Sequence, residues 1–193
     1  VINGLVVQGN GNTIQAVRAT GNSSGDGIQV TGHHNTVNKN TGGDQGAGNG
    51  AAGINVSGVG NMIKANGAYA NYGNGITVGG GTAGAPNIVK NNVAGGPQRG
   101  NARAGIAIGG PGAGASGAVD ISGNTAQSNA LSGISVTGTG HRLKDNDSGG
   151  AGSTVNVACQ YRVVPKNFNA IGNTKNLAPI AGADGSAFPN GCF

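Results

Sequence analysis

The chain contains no glutamate and no tryptophan, only 3 Tyr and 3 Phe, and charged residues fill just 9% of its 193 positions. So few aromatics leave almost no stacking platform for single-stranded nucleic acid, and nucleic acid is not an expected partner. No apolar run approaches the ~18 residues that cross a bilayer, and no charged-then-apolar leader opens the chain. Membrane insertion is therefore not expected either. Glycine is abundant at 42 residues, yet no Gly-X-Y period appears, which excludes collagen. Disordered chains are usually rich in charge and poor in β-branched residues, whereas Ile and Val recur here at regular places.

What is present is a repeat. A Gly-aliphatic-x-aliphatic tetrad occurs at Gly4, Gly27, Gly53, Gly75, Gly105 and Gly133, with a degenerate seventh copy over Ser153 to Val157. Marked at Leu5, Ile28, Ile54, Ile76, Ile106, Ile134 and Val155, the steps are 23, 26, 22, 30, 28 and 21 residues. A period in that range is the signature of a solenoid, one step per turn. A second aliphatic residue follows each mark at Ile14, Val37, Ile63, Leu143 and Val164, and arrives late at Val89 and Ile121, after Gly/Ala/Pro-rich stretches that read as loops. Period-2 alternation inside each tetrad predicts short strands, and glycine and asparagine disfavour helix throughout.

The most specific signal lies three residues beyond the second aliphatic, at Asn40, Asn66, Asn92, Asn124, Asn146 and Asn167, with Val17 in the first turn. One asparagine per turn at a bend can bond both its copy in the next turn and the bend's backbone, satisfying polar groups that burial would otherwise leave unpaired. Two residues on, the side chain is small in six turns: Ala19, Gly42, Ala68, Ala94, Ala126 and Ser148. A weaker asparagine column at Asn12, Asn35, Asn61 and Asn87 gives way to Val119 and His141.

The pattern N-G-I-x-V-x-G-x-G-N-x-I-x-x-N-x-A resembles the right-handed parallel β-helix repeat of pectate-lyase-like proteins, phage tailspikes and carbohydrate-binding and sugar-hydrolase repeats. That resemblance implies an all-β, single-domain right-handed parallel β-helix of about seven coils over residues 1–173. Residues 174–193 are expected to form an irregular cap or connector. Cys159 and Cys192 are an even pair in a chain read as secreted, which suggests one disulfide tying that tail to the last coil, two free thiols being the alternative.

Enzymes of this fold place two or three carboxylates on one face of neighbouring coils. The six Asp residues do not converge: Asp26 shares a column with Asn3, Ala52 and Asn74, Asp44 lies in a loop, Asp120 faces Arg142, and Asp184 is in the tail. Asp145 and Asp147 are close in sequence, but two carboxylates are too few for a calcium site that wants 6 to 8 oxygens. His33 and His34 adjoin in the second coil while His141 lies in the sixth, so they share no metal. No catalytic residue, metal or cofactor is assigned on these grounds, and the balance leans away from an enzyme.

Lys64 and Lys90 occupy one outward position in consecutive coils, Lys144 recurs there two coils later, and Lys39 stands one position away. Such a stripe reads either as an anion-binding surface or as charge that keeps a glycine-rich rod soluble. The net charge of +5 allows the first. The first coil, near Leu5, Val6, Val7, Thr13 and Ile14, carries no polar cap and predicts an open strand edge. Two functions follow as expectations. The main one is a secreted, extracellular or cell-surface structural protein that associates with itself, end to end, into a fibre or surface assembly. The alternative is a polysaccharide-binding or polysaccharide-cleaving domain with an acidic polysaccharide as partner.

Overall fold

The computed structural model describes residues 2–109, 118–138 and 141–149 in full, and beyond them the backbone strands Cys159–Val164, Asn169–Ile171, Thr174–Lys175, Ala178–Pro179 and Gly191–Cys192. It is a right-handed parallel β-helix, with no helix among the described residues. Every turn contributes one short strand to each of three sheets, which enclose the core like the faces of a prism. The first turn shows the unit: Leu5–Gln8 enters the first sheet, Thr13–Gln15 the second and Arg18–Ala19 the third. Turns two to six, five in all, have a described neighbour on each side.

Alternation within each strand sends one set of side chains inward, and the parallel register stacks like on like. Leu5 pairs with Ile28, Ile28 with Ile54, Ile54 with Ile76, Ile76 with Ile106 and Ile106 with Ile134. The second sheet adds Ile14, Val37, Ile63, Val89, Ile121 and Leu143 to the same buried core. Burying a side chain of this size stabilises by ~1.5–3 kcal/mol against exposure. The late arrivals Val89 and Ile121 pair with one another and with Ile63 and Leu143, so the extra residues before them leave the coil without shifting it. Ala19, Ala68, Ala94, Ala126 and Ser148 line the narrow inner face of the third sheet. At Gly42 a Cβ would collide with the carbonyl oxygen of Gly53, so this turn accepts only glycine there.

Each of the three bends between sheets carries an asparagine column, broken at Val119 and His141 in the first and at Val17 in the second. At the bend between the second and third sheets, Asn40, Asn66, Asn92 and Asn124 each donate from Nδ2 to the Oδ1 of the next asparagine, the last being Asn146, at 2.8–3.1 Å. The same Oδ1 atoms accept the backbone N–H of the preceding rung at 2.9–3.0 Å. The second Nδ2 proton reaches back to a strand carbonyl, from Ile14 for Asn40 through Ile121 for Asn146, at 2.9 Å. One residue ahead of each rung the chain turns left-handed, at Ala16, Lys39, Ala65, Asn91, Gly123 and Asp145, with φ between 52° and 62°. The column at Asn12, Asn35, Asn61 and Asn87 is a second ladder, with backbone N–H to Oδ1 distances of 2.8 Å. A third, not anticipated from the sequence, runs through Asn22, Asn49, Asn71, Asn101 and Asn129 at the bend that returns to the first sheet.

The last turn departs from the expectation. Its first-sheet strand is Cys159–Val164, with Tyr161 against Ile134 and Val164 against Thr137, so the mark is Tyr161 and Val164 is not the second aliphatic. That place belongs to Ala170, opposite Leu143. Val155 and Asn167 lie outside the described residues. The step from Ile134 to its first-sheet partner Tyr161 is thus 27 residues rather than 21. Thr174–Lys175 pairs in parallel with Asp147–Ser148 and so belongs to the solenoid, while Ala178–Pro179 and Gly191–Cys192 return antiparallel. Cys192 pairs with Arg162 and Cys159 with Ser132, on adjacent strands but three positions apart. The disulfide expected between them lies outside the described side chains.

Replacing Asn92 with Leu orphans the N–H of Asn66 and removes the hydrogen bonds that Asn92 Nδ2 donates to the Ile63 carbonyl and to Asn124 Oδ1. We expect a loss on the order of 1–3 kcal/mol, whereas Lys90→Ala, one strand end away and exposed, should cost less than about 0.5 kcal/mol. Thermal and urea denaturation of the two variants measure the difference.

Candidate functional site

A concavity lies where the third bend meets the first sheet. This groove, of about 320 Å³, is lined by Asp26, Asn55, Tyr72, Asn74, Thr77 and Arg103 together with the small residues Gly50, Ala51, Ala52 and Gly73. The floor comes from outward positions of the first sheet, where Asn55 and Thr77 are register partners. The wall comes from the bend. Tyr72 directly follows the ladder residue Asn71 and is 74% exposed, more than any other large hydrophobic residue among those described. Arg103 stands one turn on, its N–H bonded to Gly73 O at 3.2 Å and its carbonyl to Leu131 N at 3.2 Å. No ion pair involves Arg103 among the described residues.

Asp26 is held tightly at the base. Only 8% exposed, it accepts the N–H of Ala52 at Oδ1 (2.9 Å) and the Asn55 amide at Oδ2 (2.8 Å), while its own N–H donates to Asn3 Oδ1 at 2.8 Å. Asn74 has the same role in its column further along the rod, accepting Ala104 N–H at 3.1 Å and donating to Thr77 Oγ1 at 3.2 Å. The groove thus offers fixed amides and a hydroxyl, one aromatic face and one guanidinium. A guanidinium recognises a carboxylate by two parallel hydrogen bonds, and an exposed tyrosine presents a flat apolar face with a polar tip. Glycoside hydrolysis by paired carboxylates needs two of them within ~5 to 10 Å. Asp26 is the only carboxylate lining this groove.

The residues singled out from the sequence lie elsewhere. Asp145 is at the second bend, 3.8 Å from Lys144 Nζ, and Asp147 opens the strand of the third sheet that follows. Among the described residues no three His, Cys, Asp or Glu side chains gather as metal ligands. His33 accepts the N–H of Val59 at Nδ1 (3.1 Å), and His34 occupies a left-handed turn position with φ 56°. The lysine stripe is in register: Asn38, Lys64, Lys90, Ser122 and Lys144 are successive partners along the second sheet, with exposed Lys39 beside them. In the first turn Ile14 is 5% exposed and folded into the core, while Val6 faces outward at 48% exposure. Tyr72 and Arg103 carry no signal in the repeat because each comes from a bend of variable length.

A second polar cluster bridges the bend insertions. Arg18 and Arg99 both approach Asp44, Arg99 at 3.9 Å, and the Arg99 guanidinium lies 4.4 Å above the ring of Tyr69. These contacts tie the loop of turn two to that of turn four across turn three.

No family model and no curated protein matches the sequence. Among solved structures, a mutant of the periplasmic alginate epimerase AlgG is similar over 88% of this chain, at 16% identity and a TM-score of 0.59. The chain spans 42% of that protein's length. The likeness is one of fold, and it agrees with the β-helix resemblance drawn from the repeat.

His141 provides a titration test of the frame around this face. It takes the place of an asparagine at the first bend, is 4% exposed, and its Nε2 donates to the Thr137 carbonyl at 3.3 Å. Burial holds its pKa below the ordinary histidine value, with the Thr137 hydrogen bond opposing. Because the folded state resists protonation, its contribution to stability is complete above about pH 6.5 and is lost as pH falls through the lowered folded pKa. We expect His141→Asn to flatten the decline in melting temperature between about pH 7 and about pH 5, read by thermal denaturation of both proteins across that range.

Proposed function

We propose that this β-helix binds an acidic polysaccharide along its first sheet, in the groove between Tyr72 and Arg103. The observation that carries this reading is the pairing of an exposed ring with an arginine that has no ion-pair partner among the described residues, over a floor of fixed amides. A pyranose offers C–H faces to the ring, hydroxyls to Asn55, Asn74 and Thr77, and, if it is a uronic acid, a carboxylate to the guanidinium. The fold likeness to an alginate epimerase supports the polysaccharide reading over self-association into a fibre, for which the comparison offers nothing. We place the protein outside the cytoplasm, in a periplasmic or extracellular setting where such polymers are met.

A second reading, chemistry on the bound chain, is favoured by one observation: Asp26 lies in the same groove as Arg103. Proton abstraction next to a carboxylate, the step shared by lyases and epimerases, needs one base and one cation to offset the developing charge, not two carboxylates. Both Asp26 oxygens are already engaged by neutral donors, so binding is the stronger conclusion.

Titration calorimetry with alginate oligosaccharides tests it. Arg103→Ala should weaken binding by about 10- to 100-fold, the range of a charge-assisted hydrogen bond. Tyr72→Ala should weaken it about 2- to 10-fold. Equal affinity for a neutral glucan, or an unchanged constant in Arg103→Ala, would overturn the acidic polysaccharide as ligand.

A further inference from the structure

We infer that the lysine column of the second sheet is a second, independent binding face for anionic polysaccharide, and that the domain bridges two polymer strands. This rests on the groove binding an acidic polysaccharide as proposed above. The column begins with Lys64 and Lys90, which are direct register partners about 4.8 Å apart. Lys39 stands one position from Asn38, the partner of Lys64, and Lys144 follows beyond Ser122. Like charges directly opposite on adjacent strands repel, so this arrangement is unfavourable in the free protein and is relieved by an anion.

The charged groups around the column leave it available. Asp120 and Arg142, in the adjacent outward column, are turned to each other at 3.5 Å, and Asp145 lies 3.8 Å from Lys144. Among the described residues no acid lies within ion-pair distance of Lys39, Lys64 or Lys90. Lys64 and Lys90, on consecutive turns along the rod axis, match neighbouring anionic groups about 5 Å apart on an extended polyanion lying parallel to that axis, and Lys144 offers a further contact two turns on. The uncharged partners Asn38 and Ser122 add hydrogen-bonding groups between the cations.

The two faces point in different directions. Lys64 ends its second-sheet strand immediately before the second bend, at Ala65 and Asn66, whereas the groove lies at the third bend and the start of the first sheet. The third sheet separates them on one side, the first bend and the width of the second sheet on the other. A single stiff polymer strand cannot occupy both, so a doubly bound protein joins two strands, with the avidity that two linked sites confer.

The test uses the full chain, long alginate and short alginate oligosaccharides. Wild-type protein should raise the viscosity of dilute long alginate, with a maximum at intermediate protein and a fall at excess, as singly bound protein saturates the polymer. Lys64→Gln/Lys90→Gln should lose that rise and lower the slope of log affinity against log salt by about 1 to 2. Its groove affinity for short oligosaccharides should stay within about twofold, as for distant independent sites. Tyr72→Ala, with its groove weakened about 2- to 10-fold, should shift the viscosity rise to correspondingly higher protein concentration and keep the salt-sensitive binding. Wild-type protein that binds alginate at one site and never raises viscosity would refute bridging while leaving the groove intact. Bridging that persists in the double lysine variant would refute the stripe as the second face, as would loss of all binding in Tyr72→Ala. No binding of any alginate by wild-type protein would remove the groove reading itself.

Discussion

A chain that bends sharply three times per turn must bury the backbone groups of each bend, and every other feature of this rod depends on how those groups are satisfied. Asparagine does so because its side chain carries the same donor and acceptor as a peptide unit. Stacked at the strand spacing, each amide completes the hydrogen bonding of the turn before it and has its own completed by the turn after. The arrangement works only if successive turns stay in register. The left-handed residue ahead of each rung at the second bend, from Ala16 to Asp145, turns the chain so that the amide points inward.

Such a frame frees the outward surface. Each coil can place any side chain on the outside of a strand without disturbing the core, and can lengthen a bend provided that the chain returns to its asparagine. Turns two and four do so at the third bend, where loops carrying Asp44 and Arg99 meet over Tyr69. Beside them the same bend carries Tyr72 and Arg103 into the groove. Core and site are therefore built from different positions of the repeat.

This division explains what is legible in the sequence. Each ladder residue from Asn40 to Asn146 stands three residues beyond the inward aliphatic of the second sheet, and a constant offset is visible in a single chain. The third ladder is just as regular in space, but Asn22, Asn71 and Asn129 follow the second-bend position by 5 residues and Asn49 and Asn101 by 9, which hides the column. The seventh turn is hidden because the first-sheet partner of Ile134 is Tyr161, 27 residues on and outside any Gly-aliphatic-x-aliphatic tetrad. Tyr72, Arg103 and Asp26 come from three different turns, and only the coiling brings them together. The lysine column is legible because its members end strands of constant position.

The direction of the sheet hydrogen bonds has a mechanical consequence. In all three sheets they run from turn to turn, along the rod, while the covalent chain runs around it. Tension applied along the axis loads the ladders and strand pairs in series, one interface after another, and opens the weakest turn first. Tension applied across the rod, from one face to another, is carried around each coil by peptide bonds. The protein is thus a stiff hoop in cross-section and a peelable stack along its length.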